Sequence, residues 1–192
     1  KAGEEAQMLA EDKHIKYHNI MDQELFCILN SVPTAEGALM VVMQNTPFTL
    51  RESKVAVLGY GRVGKATAAL FQACGCKVTV VCRREEQLAY ARVNGHATSA
   101  LHELETVLRD ADVILNTIPA RMFDHATLEK TNPNAFLVDL ASGKNNIDYA
   151  AAKELGISAV QANALPGKVA PLSAAAYMKD AIFYYLNQLE VT

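Results

Sequence analysis

The sequence predicts an α/β fold: a doubly wound parallel sheet with helices on both faces, plus the remnant of a second α/β domain. Three observations carry this. Short valine-rich runs (VAVLG, KVTVVC, DVILNTI, AFLVDLA, ISAVQA) recur along the chain, and helical stretches separate them. The runs are nearly apolar throughout rather than alternating, as strands covered on both faces are. The first run ends in Gly59-Tyr60-Gly61-Arg62-Val63-Gly64, which leads directly into a helical stretch.

Composition bounds the class. A chain of 192 residues holds one domain with a sizeable core, or one domain plus a fragment of another. A formal charge of -3 with 20% charged residues gives no bias toward nucleic acid or an anionic membrane surface. No apolar run reads as reaching the roughly 18 residues of a membrane helix. The charged start KAGEEAQMLAEDK has no apolar centre of a signal peptide. Cys27, Cys74, Cys76 and Cys82 have no paired CxxC spacing, so buried thiols in a reducing, cytoplasmic setting are expected. The chain does not begin with methionine and reads as a trimmed piece of a longer protein.

The elements follow in order. Residues 1–32 predict a helix over Glu4–Asp12, a short strand around Ile15–His18 and a joint, read as the end of an N-terminal substrate domain. Pro33-Thr34 opens a connecting helix (33–46, with Ala35–Asn45 its apolar body), capped by Ser31 or Thr34, and Pro47 lies beyond its end. A dinucleotide-binding domain spans 33–172. Its strands are 55–59, 77–82, a weak one at Ala97–Ser99, 112–118, 135–141 and 157–162. Between them lie a helix ending at Gly75, then helices at Glu85–Asn94, Leu101–Arg109, Phe123–Lys130 and Tyr149–Leu155. The C-terminal segment 173–192 carries a long helix over Ser173–Leu189 that returns toward the N-terminal domain.

A lone GxGxxG says little; this one sits between a strand and a helix, where its chemistry works. Gly59 permits the tight turn, Gly61 lets backbone approach a pyrophosphate, and Gly64 lets the helix pack close to the strand. The helix N-terminus then offers unpaired N–H groups to the phosphates. Tyr60, Arg62 and Val63 belong to the same turn and are assigned to the cofactor with it. The domain is thus of Rossmann type; the bland alternative is a glycine-rich turn that binds nothing.

At the end of the second strand, where NAD-preferring folds place a carboxylate for the ribose hydroxyls, the sequence reads Cys82-Arg83-Arg84. Guanidinium groups pair with a 2′-phosphate in bidentate fashion and stack on adenine. NADP(H) is therefore expected over NAD, against the alternative of a solvated Arg-Arg-Glu-Glu helix start.

Two later strand ends carry small polar residues suited to the rest of the cofactor: Asn116-Thr117-Ile118-Pro119, and Asp139 with Ala141 and Ser142. Asn116 and Thr117 are alternatively turn residues, and Asp139 alternatively a buried structural carboxylate. The loop Ala164–Pro171 holds two prolines and a glycine and reads as a rigid wall near the reacting end. Lys168 in it is either a cation for a substrate carboxylate or surface charge. No metal is expected, because His14, His18, His96, His102 and His125 lack ligand spacing. GxSxG and Walker motifs are absent. The loop before the last helix has no histidine, which counts against simple 2-hydroxy-acid chemistry.

Taken together, NSVPTAEGALMVVMQNT (30–46), VAVLGYGRVGKATA (55–68), VVCRREEQLA (80–89), ILNTIPA (114–120), LVDLASGKNNIDY (137–149) and LPGKVAPLSAA (165–175) resemble the dipicolinate synthase A chain family over about residues 14–190. The resemblance implies an NADP-linked oxidoreductase that oxidises dihydrodipicolinate to dipicolinate (pyridine-2,6-dicarboxylate) in the mother cell of a sporulating bacterium. It also implies a larger N-terminal domain, the second, flavoprotein-like subunit of dipicolinate synthase as partner, and a homo-oligomer. On this view a dianionic substrate meets the helix start at Thr34, Ala35 and Gly37, and the segment Pro166, Gly167, Val169, Ala170 and Pro171. Glu36 and Lys168 are the candidate catalytic groups; Glu36 is alternatively a first-turn helix charge. Two other functions stay open: an NAD(P) enzyme of the alanine-dehydrogenase or 2-hydroxy-acid type, and a non-catalytic nucleotide-binding module.

Overall fold

The computed structural model describes residues 2–190. Six parallel strands form one sheet in the order β3-β2-β1-β4-β5-β6. They are β1 (Lys54–Leu58), β2 (Lys77–Cys82), β3 (Ala97–Ala100), β4 (Val113–Asn116), β5 (Phe136–Asp139) and β6 (Ser158–Gln161). The helices are α1 (Ala2–Asp12), α2 (Glu24–Asn45), α3 (Arg62–Ala73), α4 (Glu85–Val93), α5 (Leu104–Asp110), α6 (His125–Glu129), α7 (Tyr149–Glu154), α8 (Leu165–Val169) and α9 (Pro171–Glu190). The order reverses between β1 and β4, which creates the crevice where such folds bind ligands.

Because strand side chains alternate faces, β1 feeds two separate cores. Val55 and Val57 join Val80, Leu115, Val138, Phe71 of α3 and Val42 of α2. Ala56 and Leu58 join Val81, Ile114, Leu137, Leu108 of α5 and Leu128 of α6 on the other face. The continuous apolar runs of the sequence are the physical consequence. Local signals set several boundaries: the Asp124 and Asp148 side chains accept from the Thr127 and Ala151 amides and start α6 and α7.

Four expectations are corrected. No strand forms at Ile15–His18; a single 3-10 turn at Ile20–Asp22 follows, its start capped by Asn19. The N-terminal segment therefore contributes a helix and a turn rather than part of a second sheet; His18 packs its ring on Tyr185 of α9, centroids 4.2 Å apart. The connecting helix does not begin at Pro33. It begins at Glu24 and runs 22 residues with Pro33 inside, so the expected division at 32/33 falls within a helix. This length overturns the reading that no segment could cross a membrane by size and composition: its best window has a mean hydropathy of 1.6. In the fold, α2 packs on α3, α8 and α9. Finally, the loop before the last helix contains the one-turn helix α8, and α9 starts at Pro171.

Candidate functional site

The carboxyl ends of the central strands lie in register, Leu58 beside Asn116 and Asn116 beside Asp139. Above them is a cleft of about 350 Å³. Its floor is Gly61, Arg62, Val63, Gly64, Thr117, Pro119, Leu140, Ala141 and Ser142; its opposite wall is Met21 with Phe26, Cys27, Asn30, Ser31 and Thr34 of α2.

The three motif glycines have separable reasons. Gly59 sits at φ +91°, and a Cβ there would stand 2.6 Å from Thr117 Oγ1. A Cβ on Gly64 would stand 2.2 Å from the Gly59 carbonyl oxygen, so α3 could not start so close to β1. Gly61 differs. Its φ of -79° and ψ of -161° suit any residue, and a Cβ would meet nothing within 4 Å. Nothing in the chain itself requires glycine there. The residue opens the N-terminus of α3 to the cleft, and a nucleotide phosphate on those amides would need that gap. The residues thus fit a dinucleotide.

Asn116 and Asp139 are not turned toward the cleft. Asp139, 1% exposed, accepts from Asn116 Nδ2 (2.9 Å), the Ala141 amide (3.2 Å) and Asn146 Nδ2 (3.1 Å). Asn116 Oδ1 accepts from the Ile118 amide at 3.1 Å. This buried network fixes the turns after β4 and β5, and through them the backbone of Ile118, Ala141 and Ser142. Thr117 donates its hydroxyl to the Leu58 carbonyl at 2.7 Å, locking β4 to β1. Burial, with the Asp139 charge adding to it, pushes the Tyr149 hydroxyl up to about 12.

Arg83 and Arg84 are exposed beyond β2. Arg83 lines a separate hollow with Ala100, Leu101 and His102 at the end of β3, on the side where the adenosine of a dinucleotide lies. Glu85 also lines it, with its carboxylate 3.5 Å from Arg92. Arg62 reaches from the glycine turn to Glu24 at 2.9 Å. Tyr60 contributes only backbone to the turn. Its ring is 2% exposed, lies edge-on to His96 with centroids 5.8 Å apart, and its hydroxyl accepts from Asn94.

The substrate residues scatter. Thr34 lines the cleft, but its hydroxyl donates to the Asn30 carbonyl at 2.7 Å. Ala35 and Gly37 are buried and do not line the cleft; a Gly37 Cβ would stand 2.7 Å from that of Leu165. Gly37 therefore serves the close crossing of α2 and α8, and the helix N-terminus expected at Thr34–Gly37 does not exist. Glu36 and Lys168 are exposed and do not line the cleft, nor do Pro166, Gly167, Val169, Ala170 or Pro171. Sequence reasoning missed Phe26, Cys27, Asn30 and Ser31. Their signal was helical spacing continuing N-terminal to Pro33, which was read as a boundary. Among the described residues no group of His, Cys, Asp and Glu is placed to hold a metal ion.

A model of the D-isomer specific 2-hydroxyacid dehydrogenase, NAD binding domain, matches residues 35–164. The chain belongs to this dehydrogenase family. Its cofactor class is accordingly a nicotinamide dinucleotide. The chain is also 34% identical over 175 residues to the dipicolinate synthase A chain of Bacillus subtilis, covering 91% of this chain and 59% of that protein. The crystal structure of that Bacillus subtilis protein superposes with a TM-score of 0.94 at 32% identity, covering 97% of this chain and 62% of that one. The crystal structure of the Bacillus halodurans counterpart gives 0.89 at 36% identity, covering 94% and 62%. This dehydrogenase-family chain thus spans about three fifths of the length of these relatives.

Proposed function

We propose that the chain is the nucleotide-binding part of an NADP(H)-dependent oxidoreductase that oxidises dihydrodipicolinate to dipicolinate in a sporulating bacterium. The observation that carries this is the 34% identity to the dipicolinate synthase A chain over 91% of the present chain, with the glycine turn and arginine pair in place.

The chemistry is consistent with the cleft. When bound, an oxidised nicotinamide supplies the hydride acceptor. The dihydropyridine ring loses a hydride and a proton and becomes aromatic, a downhill change that asks the protein mainly for positioning. Among the described residues that line the cleft there is no histidine, aspartate or glutamate. Gly61, Arg62 and Val63 hold the pyrophosphate, Arg83 and Arg84 read the 2′-phosphate, and the turns after β4 and β5 bear on the ribose and nicotinamide. α9 exposes Leu172, Phe183, Tyr184 and Leu186, which supports coverage by further chain, by another copy or by the second, flavoprotein-like subunit of the synthase. We place the activity in the cytoplasm, with residues 1–32 as the end of a substrate domain.

The test is fluorescence titration with NADPH and NADH, followed by absorbance at the dipicolinate band with dihydrodipicolinate and NADP. Tighter NADPH binding and product formation are expected. Binding without product in both this chain and a full-length homologue would favour a non-catalytic nucleotide module, and no binding by folded protein would end the reading.

A further inference from the structure

The wall of the cleft opposite the glycine turn carries four polar side chains, and the hydroxyl and thiol donors among them are already used. Cys27 Sγ donates to the Met21 carbonyl at 3.1 Å. Ser31 Oγ donates to the Ile28 carbonyl at 2.6 Å, and Thr34 Oγ1 to the Asn30 carbonyl at 2.7 Å. On the floor, Thr117 Oγ1 is committed to Leu58, and one N–H of the Arg62 guanidinium is given to Glu24. A hydroxyl or thiol has one hydrogen to donate, so these groups face the cleft with lone pairs only. Among the described residues that line the cleft, two neutral side chains keep a donor uncommitted, the Asn30 amide and the Ser142 hydroxyl, beside the remaining guanidinium N–H groups of Arg62.

We propose that Asn30 is a substrate-binding residue, its Nδ2 donating together with Ser142 Oγ to a carboxylate of the substrate. The inference rests on the reading above, that the substrate is a pyridine-type dicarboxylate. The lining has one cation, Arg62, which belongs to the glycine turn and the phosphates it would receive. It has no other charge. With Arg62 given to the phosphates and to Glu24, a carboxylate entering between α2 and the β5 turn falls to neutral donors, and lone pairs from Ser31 and Thr34 would repel it unless a donor stood between them. Asn30, in the same helical turn as both, is that donor. It is half-buried, so its amide is partly shielded from water, which strengthens a charge-assisted bond.

The experiment uses the full chain with saturating NADP, and dipicolinate as the probe, its binding followed by calorimetry. NADPH affinity is measured in parallel by fluorescence. Asn30→Ala is expected to weaken dipicolinate about tenfold or more, the usual effect of losing a bond to a charged group. NADPH affinity should stay within about twofold of wild type, the scatter of a neutral substitution. Asn30→Asp, isosteric but repelling a carboxylate, should weaken dipicolinate further, while Asn30→Ser should restore part of the loss. Circular dichroism confirms that each variant folds. Wild-type affinity for dipicolinate in Asn30→Ala and Asn30→Asp overturns the proposal, as does an equal loss of NADPH and dipicolinate, which would assign Asn30 to the nucleotide. If wild-type protein binds NADPH but not dipicolinate, the substrate reading itself fails.

Discussion

A Cβ placed on Gly64 would stand 2.2 Å from the carbonyl oxygen of Gly59, whereas one placed on Gly61 would touch nothing within 4 Å. Two glycines of one motif are thus required for different reasons, and substitution separates them. Gly64→Ala should cost about 1–3 kcal/mol of stability through overpacking against rigid backbone. Gly61→Ala should leave stability within about 0.5 kcal/mol of wild type, yet nearly abolish nucleotide binding. Urea midpoints and NADPH titrations on the two variants check this. A Gly61→Ala protein that binds normally would remove the phosphate from this turn.

Beyond β2, Arg83 and Arg84 have no ion pair or side-chain hydrogen bond among the described residues, so their charge is available to a ligand. The double substitution Arg83→Ala with Arg84→Ala should weaken NADPH by about tenfold or more, as loss of charge-assisted phosphate contacts does. NADH should change little. Equal losses for both nucleotides would show that the pair does not read the 2′-phosphate.

The buried carboxylate of Asp139 is held by three N–H donors from Asn116, Ala141 and Asn146. Asp139→Asn turns one of its acceptor oxygens into a donor facing another N–H. The expected cost is about 1–3 kcal/mol, read as a lower urea midpoint. Unchanged stability would mean the network is not what orders the β4 and β5 turns.

Burial holds His96 below its usual value of 6.5, so the folded state resists taking up its proton. Its stabilising contribution is complete above pH 6.5 and is lost as the pH falls through the lowered folded value, because the unfolded chain protonates first. The effect is at most about 1.4 kcal/mol per pH unit. Thermal melts between pH 7.5 and 5.5 should show a shallower acid-side decline for His96→Phe than for wild type. Identical slopes would remove His96 as a contributor.

The sequence by itself determined the sheet, because all-apolar strands separated by helices have one common solution, and the glycine turn, because strand, motif and helix are contiguous. Arginines in place of an acid after β2 were legible for the same local reason. Only the tertiary structure decided what faces the cleft. Asn116 and Asp139 look like ligand residues in sequence, but adjacent parallel strands bring them within 2.9 Å, and each satisfies the other away from the ligand. Gly37 looked like an anion-binding helix start and is instead the gap into which Leu165 fits. Pro33 looked like a boundary, yet α2 continues through it, supported by α3, α8 and α9. That continuation is what carries Asn30 over the glycine turn. Such facts depend on which chain segments meet across long separations, and a local pattern holds no record of them.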